Sequence, residues 1–142
     1  SATMPPEVEK IAQTYISDPL EITVGTRNEA QANIVHHAYA VAEHNRYNAL
    51  RRVIDFVPEM YGLVFCRTRV DTQKLSESLM HDGVYAEALH GDLSQAQRDA
   101  VMRKFREKAV RILVATDVAA RGLDVDDITH VIHYHLPDEP AV

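Results

Sequence analysis

The loop at 116–124 concentrates side chains that could bind phosphate groups or a nucleotide. It contains a hydroxyl, two carboxylates, a guanidinium and a glycine, at Thr116, Asp117, Asp124, Arg121 and Gly122. The apolar run 112–115 precedes this loop and predicts a buried strand. A strand that ends in a polar, glycine-containing loop is a usual ligand position in open α/β sheets. We therefore expect a ligand site at the end of this strand.

Two further apolar segments end in polar residues of the same kind. The segment 63–66 is followed by Arg67 and Thr68, and the segment 85–89 is followed by Gly91 and its neighbours. Because the carboxyl ends of parallel strands lie at one edge of a sheet, we expect the three loops to cluster. Helices that begin at such loops offer unpaired N–H groups to phosphate oxygens. An extended phosphate backbone suits this edge better than a compact small molecule.

Each of these features also has an ordinary structural explanation when it is taken alone. Thr68 and Ser94 are typical helix caps, and Gly91 could simply permit a turn. Arg121 and Asp124 could form a local ion pair. Only their joint occurrence, in this order along the chain, favours a binding site.

The elements that must position these loops follow from the spacing of apolar residues. Helices are predicted from Pro6, over 45–56, after Thr68 and after Ser94, and strands at 20–24, 34–42, 63–66, 85–89, 111–115 and 128–136. Strand–helix alternation predicts an α/β fold with a parallel sheet and flanking helices. The polar segment 25–33 predicts a linker.

Charge and composition limit which classes of protein this sequence can belong to. The net charge is −6, yet 94–111 contains six lysines and arginines against two acidic residues, so either a basic binding face or a solvated amphipathic helix is possible. The single cysteine, Cys66, excludes an internal disulfide framework and favours the cytoplasm. The short apolar runs predict no membrane span. His133 and His135 lack a cysteine or carboxylate to complete a ligand set, so no metal site is predicted.

Three segments resemble motifs of the DEAD-box RNA helicases. Segment 63–68 resembles motif IV, and 115–124 resembles motif V. Segment 90–98 resembles the region that carries the family's QxxR signature, here Gln95 and Arg98. The spacing between the segments is similar as well. The resemblance implies a RecA-like parallel sheet with flanking helices, in a helicase C-terminal domain.

The resemblance extends to both ends of the chain. Residues 1–3, Ser-Ala-Thr, resemble motif III, which implies that 1–24 is the tail of a first helicase domain and 25–33 an interdomain linker. Residues 34–142 would then be the C-terminal RecA-like domain, incomplete at its C-terminus. The sequence contains no P-loop and no Asp-Glu-Ala-Asp segment, and the family's arginine-rich motif VI would follow Val142. We therefore expect these residues alone not to hydrolyse ATP.

The resemblance also implies a role for each motif residue. Those implied to contact the RNA sugar-phosphate backbone are Arg67, Thr68, Gly91, Gln95, Arg98 and Thr116. Those implied to face ATP are Gly122 and Asp124, with Asp124 accepting from the ribose hydroxyls. Those implied to couple ATP binding to domain closure are Ser1, Thr3 and Arg121, with Arg121 acting through a salt bridge. ATP would bind with Mg²⁺, whose ligands lie outside this sequence.

Three functional interpretations remain open from the sequence. The first is one half of an ATP-dependent RNA helicase, partnered by RNA and by the first helicase domain of the same chain. The second is a DNA translocase of the same superfamily, against which the pattern at 116–122 argues. The third is a non-enzymatic RNA- or protein-binding module. An uncovered sheet edge or apolar face would also favour self-association.

Overall fold

The chain separates into two units, 1–39 with 139–142, and 40–138. The computed structural model describes residues 6–18, 20, 22 and 34–136. The first unit contains the helix α1, Pro6–Tyr15, which begins at the predicted proline. Ser1, Thr3, the predicted linker at 25–33 and most of the predicted strand at 20–24 lie outside the described residues.

Helices and strands alternate through the second unit. In chain order they are a 3-10 helix Glu43–Asn45, α2 Arg46–Phe56, β1 Gly62–Cys66, α3 Arg69–His81, β2 Ala86–Leu89, α4 Gln95–Arg106, β3 Ile112–Thr116, α5 Asp117–Ala120 and β4 His130–His133. The four strands form a parallel sheet in the order β2-β3-β1-β4. The predicted α/β class with a parallel sheet is therefore confirmed.

The central strands are apolar on both faces because helices cover both sides of the sheet. Every residue of β3 is buried. On one face the core includes Leu50 and Ile54 of α2 and Leu79 of α3. On the other face Val101 and Phe105 of α4 supply the corresponding contacts. Burial on both faces explains why the strand sequences are continuous apolar runs rather than alternating ones.

The predicted strand at 34–42 is wrong. These residues form no strand, and the apolar side chains of Val35 and Tyr39 are exposed. Its apolar residues suggested a buried strand, but a strand also needs a neighbour that accepts and donates its backbone hydrogen bonds. The sheet of the described residues provides no such neighbour for this segment.

Side-chain caps fix where α3 and α4 begin. The Ser94 hydroxyl accepts from the Gln97 N–H at 3.2 Å, and the Gln97 amide oxygen accepts from the Ser94 N–H at 2.8 Å. This pair forms the capping box that the sequence predicts. The Thr68 hydroxyl accepts from the Asp71 N–H at 3.1 Å, but the Asp71 carboxylate accepts from that hydroxyl and not from the Thr68 backbone N–H. The shorter aspartate thus makes only half of the box.

Candidate functional site

The three polar loops meet at the carboxyl edge of the sheet, as the sequence predicts. Cys66 at the end of β1 pairs with Thr116 at the end of β3. Leu89 at the end of β2 pairs with Ala115, one residue earlier on β3. The loops after β2, β3 and β1 therefore lie side by side in that order. The loop at 116–124 occupies the middle position.

The loop at 116–124 begins with a capped turn of helix. Thr116 is 9% exposed, and its Oγ1 accepts from the Ala119 N–H at 3.3 Å as the N-cap of α5. A hydroxyl that accepts in this way keeps its own hydrogen to donate to a phosphate oxygen. Gly122 has a φ of +74°, and a Cβ there would meet nothing within 4 Å. Backbone conformation, not lack of space, therefore favours glycine at this position.

Helix α4 is tied to this loop through Arg98. Its guanidinium Nη2 donates to the Ala119 carbonyl at 2.6 Å, which joins the first turn of α4 to α5. The Gln95 amide donates to the Asp99 carboxylate within α4 at 2.8 Å. A guanidinium has five N–H donors, so this one bond leaves capacity for a phosphate. Arg98 can therefore hold the loop and face a ligand at once.

An ion pair that sequence reasoning missed connects the two outer loops. Arg69, on the first turn of α3, bonds the carboxylate of Asp92, which follows β2. A Cβ at Gly91 would lie 3.9 Å from the Arg69 Cδ, so the arginine stem passes beside this glycine. Residues 23 positions apart in the chain carry no sequence signal for such a pairing. Only the fold brings them together.

His90 fixes the loop after β2 through two hydrogen bonds. Its Nδ1 accepts from the Asp92 N–H at 3.3 Å, and its Nε2 lies 3.0 Å from the Gln73 amide oxygen. Because a backbone N–H can only donate, Nδ1 is unprotonated and Nε2 carries the hydrogen. The Gln73 amide in turn donates to Glu77 at 2.7 Å. His90, which is 8% exposed, thus anchors the loop to α3.

The basic stretch at 94–111 does not form one continuous face of solvated cations. Lys104 pairs with Glu87 at 2.6 Å, and Lys108 pairs with Asp127 at 3.0 Å. Arg111 bonds backbone carbonyls inside the domain. Much of the positive charge of this stretch is therefore used internally.

Arg121 and Asp124, the end of the central loop, are both exposed. The local ion pair between them does not form, and within the described part of the chain Arg121 makes no salt bridge. The Arg106 guanidinium donates to the Asp124 carbonyl at 3.4 Å. An open groove of about 540 Å³ lies beside this contact, lined by Arg98, Asp99, Met102, Arg103, Arg106, Glu107 and Leu123.

Two classes of site find no support in the described ranges. No group of three histidine, cysteine or carboxylate side chains there could hold a metal ion. None of the helices described there is long and apolar enough to cross a bilayer.

The parallel sheet and its three converging loops are features of a helicase C-terminal domain. The family model for the helicase conserved C-terminal domain matches residues 45–142, and the chain belongs to this family. Several of its curated relatives carry the name of the DEAD-box class that the motifs resemble. The resemblance seen in the sequence is therefore confirmed.

Similar proteins have been described from archaea and bacteria. A probable ATP-dependent RNA helicase of Methanocaldococcus jannaschii is 46% identical over 99% of this chain, which spans 37% of that relative. The DEAD-box ATP-dependent RNA helicase CshA of Bacillus subtilis is 39% identical over 99% of this chain, which spans 28% of that protein. The chain thus spans about a third of the length of these relatives.

Solved structures that resemble this chain also come from DEAD-box proteins. A crystal structure of a DEAD-box protein from Methanococcus jannaschii matches 96% of this chain and 36% of its own with 47% identity and a TM-score of 0.71. The Escherichia coli DEAD-box protein SrmB, solved bound to regulator of ribonuclease activity A, matches 66% of this chain and 55% of its own. Its identity is 33% and its TM-score 0.62.

Proposed function

We propose that this chain supplies the RNA-binding and ATP-sensing half of an ATP-dependent RNA helicase that separates short RNA duplexes locally. The observation that carries this proposal is the convergence of the three motif loops at one edge of the sheet. An edge of this kind matches an extended phosphate backbone, which gives affinity without sequence readout.

The RNA backbone would lie across the loops after β1, β2 and β3. Thr116 donates from its hydroxyl and Arg98 from its remaining N–H groups. The first turn of α4, where Gln95 lies, adds unpaired backbone N–H groups and the positive end of the helix dipole. Gly91 contributes its amide, and the loop formed by Arg67 and Thr68 binds the next phosphate.

ATP would face the far end of the loop at 116–124. Asp124 is an exposed carboxylate and can accept from ribose hydroxyls, while Gly122 lets the backbone turn beside the nucleotide. ATP would bind together with Mg²⁺, for which we assign no ligand among the described residues. Arg121, Ser1 and Thr3 would transmit the nucleotide state to domain closure.

The partner in closure is the first helicase domain of the same protein. ATP binding would bring the two domains together over a single strand of RNA, and a strand bent in this way would no longer fit a duplex. Hydrolysis would then release the RNA. We place this activity in the cytoplasm and expect self-association when this half is isolated.

The test is ATP turnover by the intact protein with single-stranded RNA, matched DNA or no nucleic acid. We expect stimulation by RNA alone. We also expect a several-fold higher RNA concentration for half-stimulation in Gln95→Ala, because the resemblance assigns the Gln95 side chain a hydrogen bond to the RNA backbone and such a bond contributes at least about 1 kcal/mol. Asp124→Asn should raise the KM for ATP. Arg52→Ala, an exposed change on α2, is the matched control and should behave as wild type.

Each other outcome selects a different function. Equal stimulation by DNA would indicate the DNA translocase. RNA binding without turnover under any condition would leave only the binding module.

A further inference from the structure

The contact between β4 and β1 ends with a side chain in place of a backbone group. The N–H groups of Tyr134 and His135 both donate to the Phe65 carbonyl, at 2.9 and 3.4 Å. One step further along β1, the Arg67 N–H donates to the imidazole Nδ1 of His135 at 3.3 Å. In a regular parallel ladder a strand carbonyl accepts this bond. His135 therefore extends the ladder up to the Arg67–Thr68 loop.

This geometry defines the protonation state of the ring. The Arg67 N–H can only donate, so Nδ1 of His135 must carry a lone pair and the hydrogen must reside on Nε2. In the imidazolium form both ring nitrogens are donors. Protonation would place two hydrogens against each other and remove the acceptor for the Arg67 N–H.

The surroundings of His135 stabilise the neutral form. Partial burial and the Arg46 guanidinium, the two largest effects, lower the pKa of His135 below its ordinary value of 6.5. The Tyr134 ring packs edge-on against the imidazole with 5.0 Å between centroids, and Arg46 lies 5.6 Å from the centre of that ring. The charged groups that act on His135 from the neighbouring elements are Glu43, Arg46, Arg67 and Asp71.

We propose that the neutral imidazole of His135 is a positioning group that holds the Arg67–Thr68 loop in its RNA-binding arrangement, and that acid weakens RNA binding through this contact. The role rests on the proposed function of the loop. His135 does not touch the RNA itself. It acts through the Arg67 N–H, and protonation releases the loop.

Binding of single-stranded RNA to the intact protein tests this at about pH 7.5 and about pH 5.5, at constant ionic strength. His135→Asn keeps an acceptor oxygen near the Nδ1 position but does not titrate. His135→Leu removes the acceptor. We expect His135→Asn to bind within about twofold of wild type at the higher pH, and His135→Leu to bind roughly tenfold more weakly.

The decisive comparison is the change on acidification. Wild type should lose roughly three- to tenfold in affinity relative to His135→Asn, because every other ionisable group is common to the two proteins. His133→Asn is the matched control, because His133 lies on β4 and stacks on Phe65 at 5.3 Å but makes no bond to the loop. It should keep the wild-type pH profile. An identical profile in His135→Asn and wild type would overturn the proposal.

A spectroscopic measurement separates this proposal from the proposed function. In ¹⁵N–¹H spectra the Arg67 amide should shift with the titration of the His135 ring in wild type, and this shift should be absent in His135→Asn. If the Arg67 amide signal does not shift when His135 titrates, the positioning role is refuted, even if the protein binds RNA. If the amide signal shifts but the protein binds no RNA, the RNA-binding function of the loop is refuted, and the proposal fails with it.

Discussion

Arg111 illustrates how a charged residue in a basic stretch can serve the fold instead of a ligand. Its guanidinium donates to the carbonyls of Ile54, Val57 and Met60 at 3.1, 2.6 and 2.9 Å. These carbonyls lie at the end of α2 and in the segment that leads into β1. Carbonyls at a helix C-terminus have no intrahelical partner, so an arginine fork satisfies several of them together.

Replacement of Arg111 should therefore destabilise the second unit. We expect Arg111→Ala to lower the free energy of unfolding by about 2–3 kcal/mol, since hydrogen bonds from a charged donor contribute more than neutral ones. Arg111→Lys keeps the charge but loses the planar guanidinium that bonds several carbonyls, so its free energy of unfolding should lie between those of wild type and Arg111→Ala. Urea denaturation measures this, with the exposed Arg103→Ala expected to stay within about 0.5 kcal/mol of wild type. Equal stability of both alanine variants would contradict the structural role.

Thr116, Arg98 and His90 show what sequence can and cannot predict about single residues. Their positions after apolar strands, or at the start of a helix, indicate that they lie at the ligand edge. The partners of Arg98 and His90 are long-range: Arg98 bonds the Ala119 carbonyl, and His90 bonds Gln73. Such contacts depend on which strands become neighbours. The sequence therefore predicts the location of these residues but not the bonds they make.

At the level of elements, local chemistry determines the start of α4 more fully than that of α3. The Ser94–Gln97 capping box is visible in the sequence because both of its bonds form within four residues. The strand expected at 34–42 failed because a strand requires a distant partner, which no local pattern specifies. The Arg69–Asp92 pair escaped prediction for the same reason. Local sequence signals therefore predict where these helices begin. Contacts between strands or loops that are distant in the chain become visible only in the folded structure.

The capping box gives a testable link between stability and RNA binding. We expect Ser94→Ala to cost about 1 kcal/mol of stability, because the Gln97 N–H loses its acceptor. Ser94→Asp should restore most of the stability, since a carboxylate caps well and suits the positive end of the helix. It should nevertheless bind RNA more weakly than wild type, because the added negative charge lies beside Gln95.

Chemical denaturation and RNA binding, measured on the same samples, test the expected changes in stability and in RNA affinity of the Ser94 variants. Ser78→Ala on α3 is the control, because its hydroxyl donates only to the Lys74 carbonyl of its own helix. Comparable instability of Ser94→Asp and Ser94→Ala would show that the cap is not what stabilises α4.

For the whole molecule, the distribution of charge matters more than its total. A net charge of −6 repels RNA at long range, so the proposed RNA binding would have to come from the local arrangement of cations at the sheet edge. Several cations of the described unit are already paired with carboxylates: Arg51, Arg69, Lys104 and Lys108. Arg111 is occupied by backbone carbonyls. Of the assigned RNA contacts, only Arg67 and Arg98 carry a positive charge.

This arrangement predicts a shallow dependence of RNA affinity on salt. Two phosphate contacts by cations should give a slope of log K against log salt of about −1 to −2 for a single strand. Arg67→Gln should reduce the magnitude of that slope by about 0.7. The exposed Arg52→Gln on α2 should leave it unchanged, since Arg52 is not among the proposed RNA contacts. A slope of about −4 would mean that the basic residues of 94–111 reach the RNA as well. Their internal pairs would then have to open on binding, and the loss of Lys104 or Lys108 would reduce the slope too.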